Sequence, residues 1–243
     1  MWRRWVFRIG MIALALGAAL YGLNAFSKAK CTQLTGELTC RVETREKLVP
    51  LSFDDGPTPE GVAAVLPILA EYDAKATFFL IGKDMERHPQ EAGRILEAGH
   101  ELGNHSFSHQ RNIGYSRAFY RSELEQTEAL LAAAGSDSGL FRPPFGRKLL
   151  GLPLEARDAG LHTIMWDVED QPERFTDPAA YAEDILDRVR PGSIILIHPM
   201  YRHNQAAREA LPAILSGLRT RGYEIVTVGE LLERTGSRGG PAQ

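Results

Sequence analysis

The chain has 243 residues, 44% of them hydrophobic, with 28 Lys and Arg against 31 Asp and Glu for a formal net charge of −3. That length and apolar content suffice for one α/β domain with a sizeable core. The slightly acidic balance removes the electrostatic basis for a nucleic-acid partner.

The N-terminus differs in kind from the rest. Met1-Trp-Arg-Arg-Trp-Val-Phe-Arg8 is basic and leads into an uncharged, mostly apolar run from Ile9 to Phe26. As a helix that run spans roughly 27 Å at about 1.5 Å per residue, enough for the hydrocarbon core of a bilayer. Arg3, Arg4 and Arg8 place its start on the cytoplasmic side. A cleavable signal peptide is the competing reading, but its apolar region is usually shorter and no small-x-small site ends this one. An uncleaved anchor over residues 1–27 is therefore expected. The domain then sits on the outer (periplasmic) face of the inner or cytoplasmic membrane, or is secreted if the segment is cleaved.

Residues 28–47 carry the two cysteines, Cys31 and Cys40, on either side of a Thr-Gly-Glu turn. Two Thr/Leu-bearing arms around a turn read as a short hairpin that brings the thiols together. An even pair in an exported segment points to a disulfide.

From Val49 onward the pattern alternates between strand-like and helix-like runs. Strands are expected at 48–53, 76–81, 100–104, 139–142, 162–167, 193–198 and 223–227. Helices are expected at 62–73, 89–98, 116–134, 179–190 and 205–220. Gly99, Gly160 and Gly222 each stand where a helix gives way to a strand, the usual place for a C-terminal glycine. Alternating β and α units predict a parallel sheet with short crossovers. An α/β barrel and an open doubly wound sheet both fit this periodicity. Gly236 to Gln243 reads as a disordered tail.

Four blocks at or just beyond strand ends carry the chemistry. Asp54-Asp55-Gly-Pro57 follows the first strand, and successive side chains on a strand point to opposite faces, so the two carboxylates can take different tasks. The same four residues are also ordinary turn formers. His105 and His109, four apart, present two imidazoles to one side of a helical turn or tight loop. Two histidines and a carboxylate make a three-ligand set for catalytic zinc. In Phe141-Arg-Pro-Pro-Phe-Gly146, Arg142 offers a permanently charged partner for a carboxylate, presented by a loop stiffened by two prolines. His198 ends the strand Ile194-Ile-Leu-Ile197. Tyr201, Arg202 and His203 follow it, either as groove residues or as plain surface loop.

These blocks, in this order from about Leu48 to Leu232, resemble the motifs of the polysaccharide deacetylase family, the NodB-homology or carbohydrate esterase 4 enzymes. The matching stretches are Ser52-Phe-Asp-Asp-Gly-Pro57, His105-Ser-Phe-Ser-His109, Arg142-Pro-Pro-Phe-Gly146 and Leu196-Ile-His198. The resemblance implies a distorted seven-stranded (β/α) barrel over 48–235. It implies Asp54 as general base, Asp55, His105 and His109 as metal ligands, Arg142 as the group orienting Asp54, and His198 as general acid. The Asp-Trp pair the family usually carries after its fifth strand is missing: the region reads Met165-Trp-Asp-Val-Glu-Asp-Gln-Pro172. Asp170 is the preferred residue to orient His198, with Glu169 and Asp167 behind it.

The chemistry that follows is metal-assisted hydrolysis of an acyl group. Asp54 takes a proton from water, the backbone N–H of Phe145 supports the oxyanion, and His198 protonates the leaving amine. Pro144 and Leu196 are expected to line the pocket. Zinc suits the ligand set; cobalt, nickel, manganese and iron share its ligand preferences. The expected function is an exported deacetylase acting on an N-acetylated glycan such as peptidoglycan, a chitin-like chain or an exopolysaccharide. The alternatives are a hydrolase of another acylated compound, O-acetylated sugars included, or a weakly catalytic glycan-binding protein. The sequence names no protein partner.

Overall fold

The computed structural model describes residues 2–137, 139–171, 173–175 and 177–236; most of the expected C-terminal tail, residues 237–243, lies outside them. Among the described residues, nine strands are formed by Leu38–Thr39 (β1), Leu48–Asp54 (β2), Ala76–Leu80 (β3), Glu101–Asn104 (β4), Leu140–Phe141 (β5), His162–Ile164 (β6), Val168–Glu169 (β7), Ile195–Ile197 (β8) and Glu224–Val226 (β9). The helices are Trp2–Lys28 (α1), Pro59–Glu71 (α2), Gly82–Arg87 (α3), Glu91–Glu97 (α4), Arg117–Ala134 (α5), Gly151–Asp158 (α6), Pro178–Arg188 (α7), Gln205–Thr220 (α8) and Val228–Arg234 (α9). Helices α3, α6 and α9, of six to eight residues, were not legible by periodicity, because so few turns show little of a 3.6-residue pattern.

Local chemistry sets the helix starts. Thr58, Ser116, Asp177 and Thr227 cap α2, α5, α7 and α9 by accepting a first-turn N–H on the side-chain oxygen. Pro59 and Pro178 occupy the first helical position, where no hydrogen bond is lost.

All strand pairs are parallel, in the order β1-β6-β5-β4-β3-β2-β8-β7, with β9 alongside the first half of β2. β7, at one end of this path, and β6, next to the other end, are nearly consecutive in the chain. Only three residues separate Ile164 of β6 from Val168 of β7, so these two strands lie within about 14 Å of each other, the reach of four extended residues. The sheet is therefore curled into a barrel rather than open. The run expected at 162–167 accordingly breaks after Ile164 and resumes on the opposite edge as β7.

The opening between those edges is spanned by the cysteine segment. Cys31 and Cys40 form a disulfide, with Cα atoms 5.6 Å apart. The chain turns back on itself as expected but makes no hairpin ladder. β1 pairs instead with β6, and two residues on Arg41 bridges to Ser193. A parallel edge with free backbone groups competes successfully with a two-stranded ribbon, which is marginal by itself. Leu38, Cys40 and Val42 pack into the barrel interior with Ile164 and Ile194.

Side chains alternate across the wall. Leu48, Phe79, Leu140 and Leu196 point inward, while Val49, Leu51, Phe53, Phe78, Ile195 and Ile197 face the helices. Helix α1 stands apart. Among the described residues it is the helix long and apolar enough to cross a membrane, with a mean hydropathy of 1.8 over its best window and no part of that window buried. Of its residues only Ser27 is buried.

Candidate active site

Period-two alternation carries directly into the site. Asp54, His105, Arg142 and His198 stand two residues beyond Ser52, Gly103, Leu140 and Leu196, so two adjacent strand pairs, β5–β4 and β2–β8, aim one polar side chain from each strand into the same end of the barrel. Asp54, His105 and Arg142 are almost wholly buried.

Arg142 is the structural centre. Its Nη1 donates to Asp54 Oδ1 at 2.7 Å, and its Nε and Nη2 donate to the carbonyls of Ile164 and Met165 at 3.1 and 3.2 Å. The guanidinium lies over the Phe79 ring, 4.0 Å from its centroid. Burial opposes the charge of Asp54, but Arg142, aided by His105 and His198, outweighs it and holds this carboxyl below the usual carboxylate range.

Beside this pair, Asp55, His105 and His109 bring one ligand atom each to within 4.8 Å of one another. Asp55 Oδ1 is 3.8 Å from His105 Nε2 and 3.3 Å from His109 Nε2. These separations are close to the roughly 3.4 Å edge of a tetrahedral zinc site with bonds near 2.1 Å. His105 Nδ1 is 2.8 Å from the carbonyl of Arg142. A carbonyl only accepts, so Nδ1 carries the proton and the Nε2 lone pair faces the cluster. Burial and the neighbouring His105 push His109 down to about 3, leaving it neutral at pH 7 as a ligand must be. Burial pushes the Asp55 carboxyl up, against the pull of His105 and His198. These donors fit a divalent cation.

The histidine motif is a tight loop rather than a helical turn. Asn104 Oδ1 accepts from the Ser106 N–H and Ser106 Oγ from the His109 N–H. Among the described residues, five that are not glycine have φ in the left-handed region: Asp55, Ser106, His109 and Phe145 in these loops, and Asp73 elsewhere. Such strain gathers where surrounding contacts hold functional groups in place.

On the other side, His198 Nδ1 lies 2.9 Å from Asp170 Oδ1. Asp170 Oδ2 accepts from the His198 N–H at 3.0 Å and from Tyr181 Oη at 2.8 Å. Burial alone would lower the imidazole, but Asp170, with Asp54 and Asp55, raises it to about 9. Of the three acids considered for this contact, Asp170 makes it. Asp167 accepts from Ser193 Oγ and the Ile194 N–H, and Glu169 pairs with Lys30. Tyr181 had no signal in the sequence, being one more apolar-face residue of α7.

A cavity of about 920 Å³ opens over these groups, walled by Phe145, Glu169, Arg174, Tyr201 and His203 among others. The Tyr201 and His203 rings stack with a 13° interplanar angle, and Tyr201 Oη donates to Asp84 at 2.9 Å. Arg202 borders a separate hollow with Glu60 and Arg208. Pro144 and Leu196 are buried and support the site from beneath, Leu196 as part of the inner core. Alternation explains this, since Leu196 is inward-facing but one layer below His198.

A carboxylate fixed on an arginine, a two-histidine, one-aspartate cluster and a histidine raised by an aspartate, all at one end of a curled parallel barrel, define a hydrolase-type site. The family model for polysaccharide deacetylases matches residues 41–164, and the chain belongs to that family of glycan deacetylases. It is 32% identical over 200 residues to a peptidoglycan-N-acetylglucosamine deacetylase of Bacillus cereus, covering 82% of this chain and 94% of that protein. The crystal structure of the Bc1960 peptidoglycan N-acetylglucosamine deacetylase superposes with a TM-score of 0.76 at 30% identity, covering 80% of this chain and 92% of that one. BA3943, a family pseudoenzyme from Bacillus anthracis, superposes with a TM-score of 0.75 at 30% identity, covering 82% and 70%.

Proposed function

We propose that the chain is a metal-dependent deacetylase that hydrolyses N-acetyl groups on a glycan, with its barrel outside the cytoplasm and α1 as the membrane anchor. In this reading 1–27 is the anchor, 28–47 a disulfide-closed linker and 48–235 the catalytic domain. The observation that carries the proposal is the pairing of two differently tuned acid–base groups, Asp54 on Arg142 and His198 on Asp170, across the Asp55–His105–His109 cluster. Pure glycan binding requires neither.

A divalent ion held by Asp55, His105 and His109, zinc by ligand type, supplies Lewis acidity and acidifies water. Asp54, kept ionised by Arg142, takes the proton of the attacking water as the new C–O bond forms at the acetyl carbon. The N–H of Phe145 donates to the developing oxyanion. His198, protonated through Asp170, gives its proton to the sugar nitrogen as the C–N bond breaks, releasing acetate and the free amine. The aromatic pair Tyr201 and His203 offers a flat face to a sugar ring.

The test is acetate release from chitooligosaccharides and peptidoglycan fragments by the zinc-loaded chain. Asp54→Asn and chelation serve as controls, and an O-acetylated sugar serves as the competing substrate. Release from the N-acetylated glycans, reduced at least about 100-fold by Asp54→Asn as for a lost general base, supports the reading. Zinc bound without release from any N-acetyl substrate would overturn it.

A further inference from the structure

The end of α1 is fastened to the loops that form the rim of the site. Lys148, buried, donates to the carbonyls of Ala29 and Lys30 at 2.7 and 2.9 Å, where a cation also suits a helix C-terminus. Arg147 Nη1 donates to Asn24 Oδ1 and Ser27 Oγ at 3.1 and 3.0 Å. Between α1 and the rim lies a second cavity of about 510 Å³. Leu20, Leu23, Ile113 and Leu149 give it an apolar wall, and Arg111 and Arg147 give it two cations. Among the described residues neither arginine has a carboxylate partner. Arg111 lies over the Phe145 ring, 5.2 Å from its centroid, and the same ring packs against His109. The groove therefore adjoins the site.

We infer that this groove binds the phosphate headgroup of a membrane phospholipid, with an acyl chain laid along Leu20 and Leu23, and so seats the mouth of the site on the bilayer surface. The proposal rests on the reading of α1 as a retained anchor. Depth agrees with it. If Ile9 marks the inner boundary, a 27 Å hydrocarbon span at about 1.5 Å per residue ends near Phe26. Leu20 and Leu23 then lie in acyl chains, while Asn24, Ser27 and the two arginines stand at headgroup level. Arginine's forked donors match phosphate oxygens, and an uncompensated pair of them beside leucines suits an amphiphile with an anionic head. The glycans within reach would be those lying at the membrane face.

The test is native mass spectrometry of the full chain in detergent with dioleoylphosphatidylglycerol. One retained lipid per chain is expected. Arg111→Gln with Arg147→Gln should lower retention roughly tenfold or more, as for two charge-assisted contacts, while the remote pair Arg219→Gln with Arg234→Gln should not. Arg111→Gln alone, an exposed side chain, serves if the double variant melts early. Equal retention in all variants overturns the proposal, as does displacement of the lipid by inorganic phosphate, which would make the site one for a bare anion. Acetate release from a soluble chitooligosaccharide is read in parallel. An active chain that retains no lipid sinks the groove alone; an inactive chain that retains it sinks the deacetylase reading alone.

Discussion

Asp54 and Asp170 are both buried aspartates paired with a cation, yet the pairs do opposite work. Arg142 never titrates, so its charge acts on Asp54 and keeps that carboxylate ionised. His198 does titrate, so the charge of Asp170 acts on it and keeps the imidazole protonated up to about pH 9. The imidazole is raised above its ordinary 6.5 in the fold, so its contribution to stability is complete below that pH and fades through about 9. Replacing Asp170→Asn removes the charge and leaves burial, which lowers the pKa. The alkaline limb of the pH–rate profile should move down by about one unit or more, with activity lowered more at pH 8 than at pH 6; an unmoved limb would exclude His198 as the acid. Both pairings were legible in part. Asp54 and Arg142 stood in motifs, whereas Asp170 was one of three acids, and only the barrel's curvature separates the one that meets His198 from the two that meet Ser193 and Lys30.

At the level of elements, parallel strands with period-two alternation convert spacing in the chain into convergence in space. The tolerance is small. Gly103 sits inward on β4, and a Cβ there would lie 2.6 Å from the Phe79 ring; that ring also supports the guanidinium of Arg142. Gly103→Ala should destabilise the fold by about 1–3 kcal/mol by overpacking, measured as a lower denaturation midpoint at unchanged m-value. It should also reduce activity beyond the loss of folded protein, since the displaced ring carries Arg142. A stability and activity equal to the parent would mean the ring moves freely. Strand positions were readable because buried parallel strands are continuous apolar runs. The break after Ile164 was not, because it is enforced by remote groups: the Arg142 side chain takes the Ile164 and Met165 carbonyls, and Thr39 accepts from the Met165 N–H.

For the whole molecule, the question is how the curled sheet is closed. The segment from Leu38 to Val42 reaches from β6 across to Ser193, next to β8, and the disulfide ties its middle residue, Cys40, to Cys31, three residues past the end of α1. One short stretch thus joins the barrel's seam to α1. Replacing both cysteines by Ser should lower stability by about 2–3 kcal/mol on loop-closure entropy, with hydrogen exchange rising first in β1 and β6. Protection lost uniformly across the barrel instead would show that the seam is not a separate unit.

The motif residues, their order at strand ends, the apolar N-terminal helix and the cysteine pair were determined by local pattern, because alternation, capping and hydropathy act over a few residues. Tertiary structure alone decided that the sheet curls rather than opens, that β1 pairs across the seam, which acid meets His198, and where α1 touches the rim. Those outcomes depend on groups far apart in the chain competing for the same partners, and no local pattern records who wins.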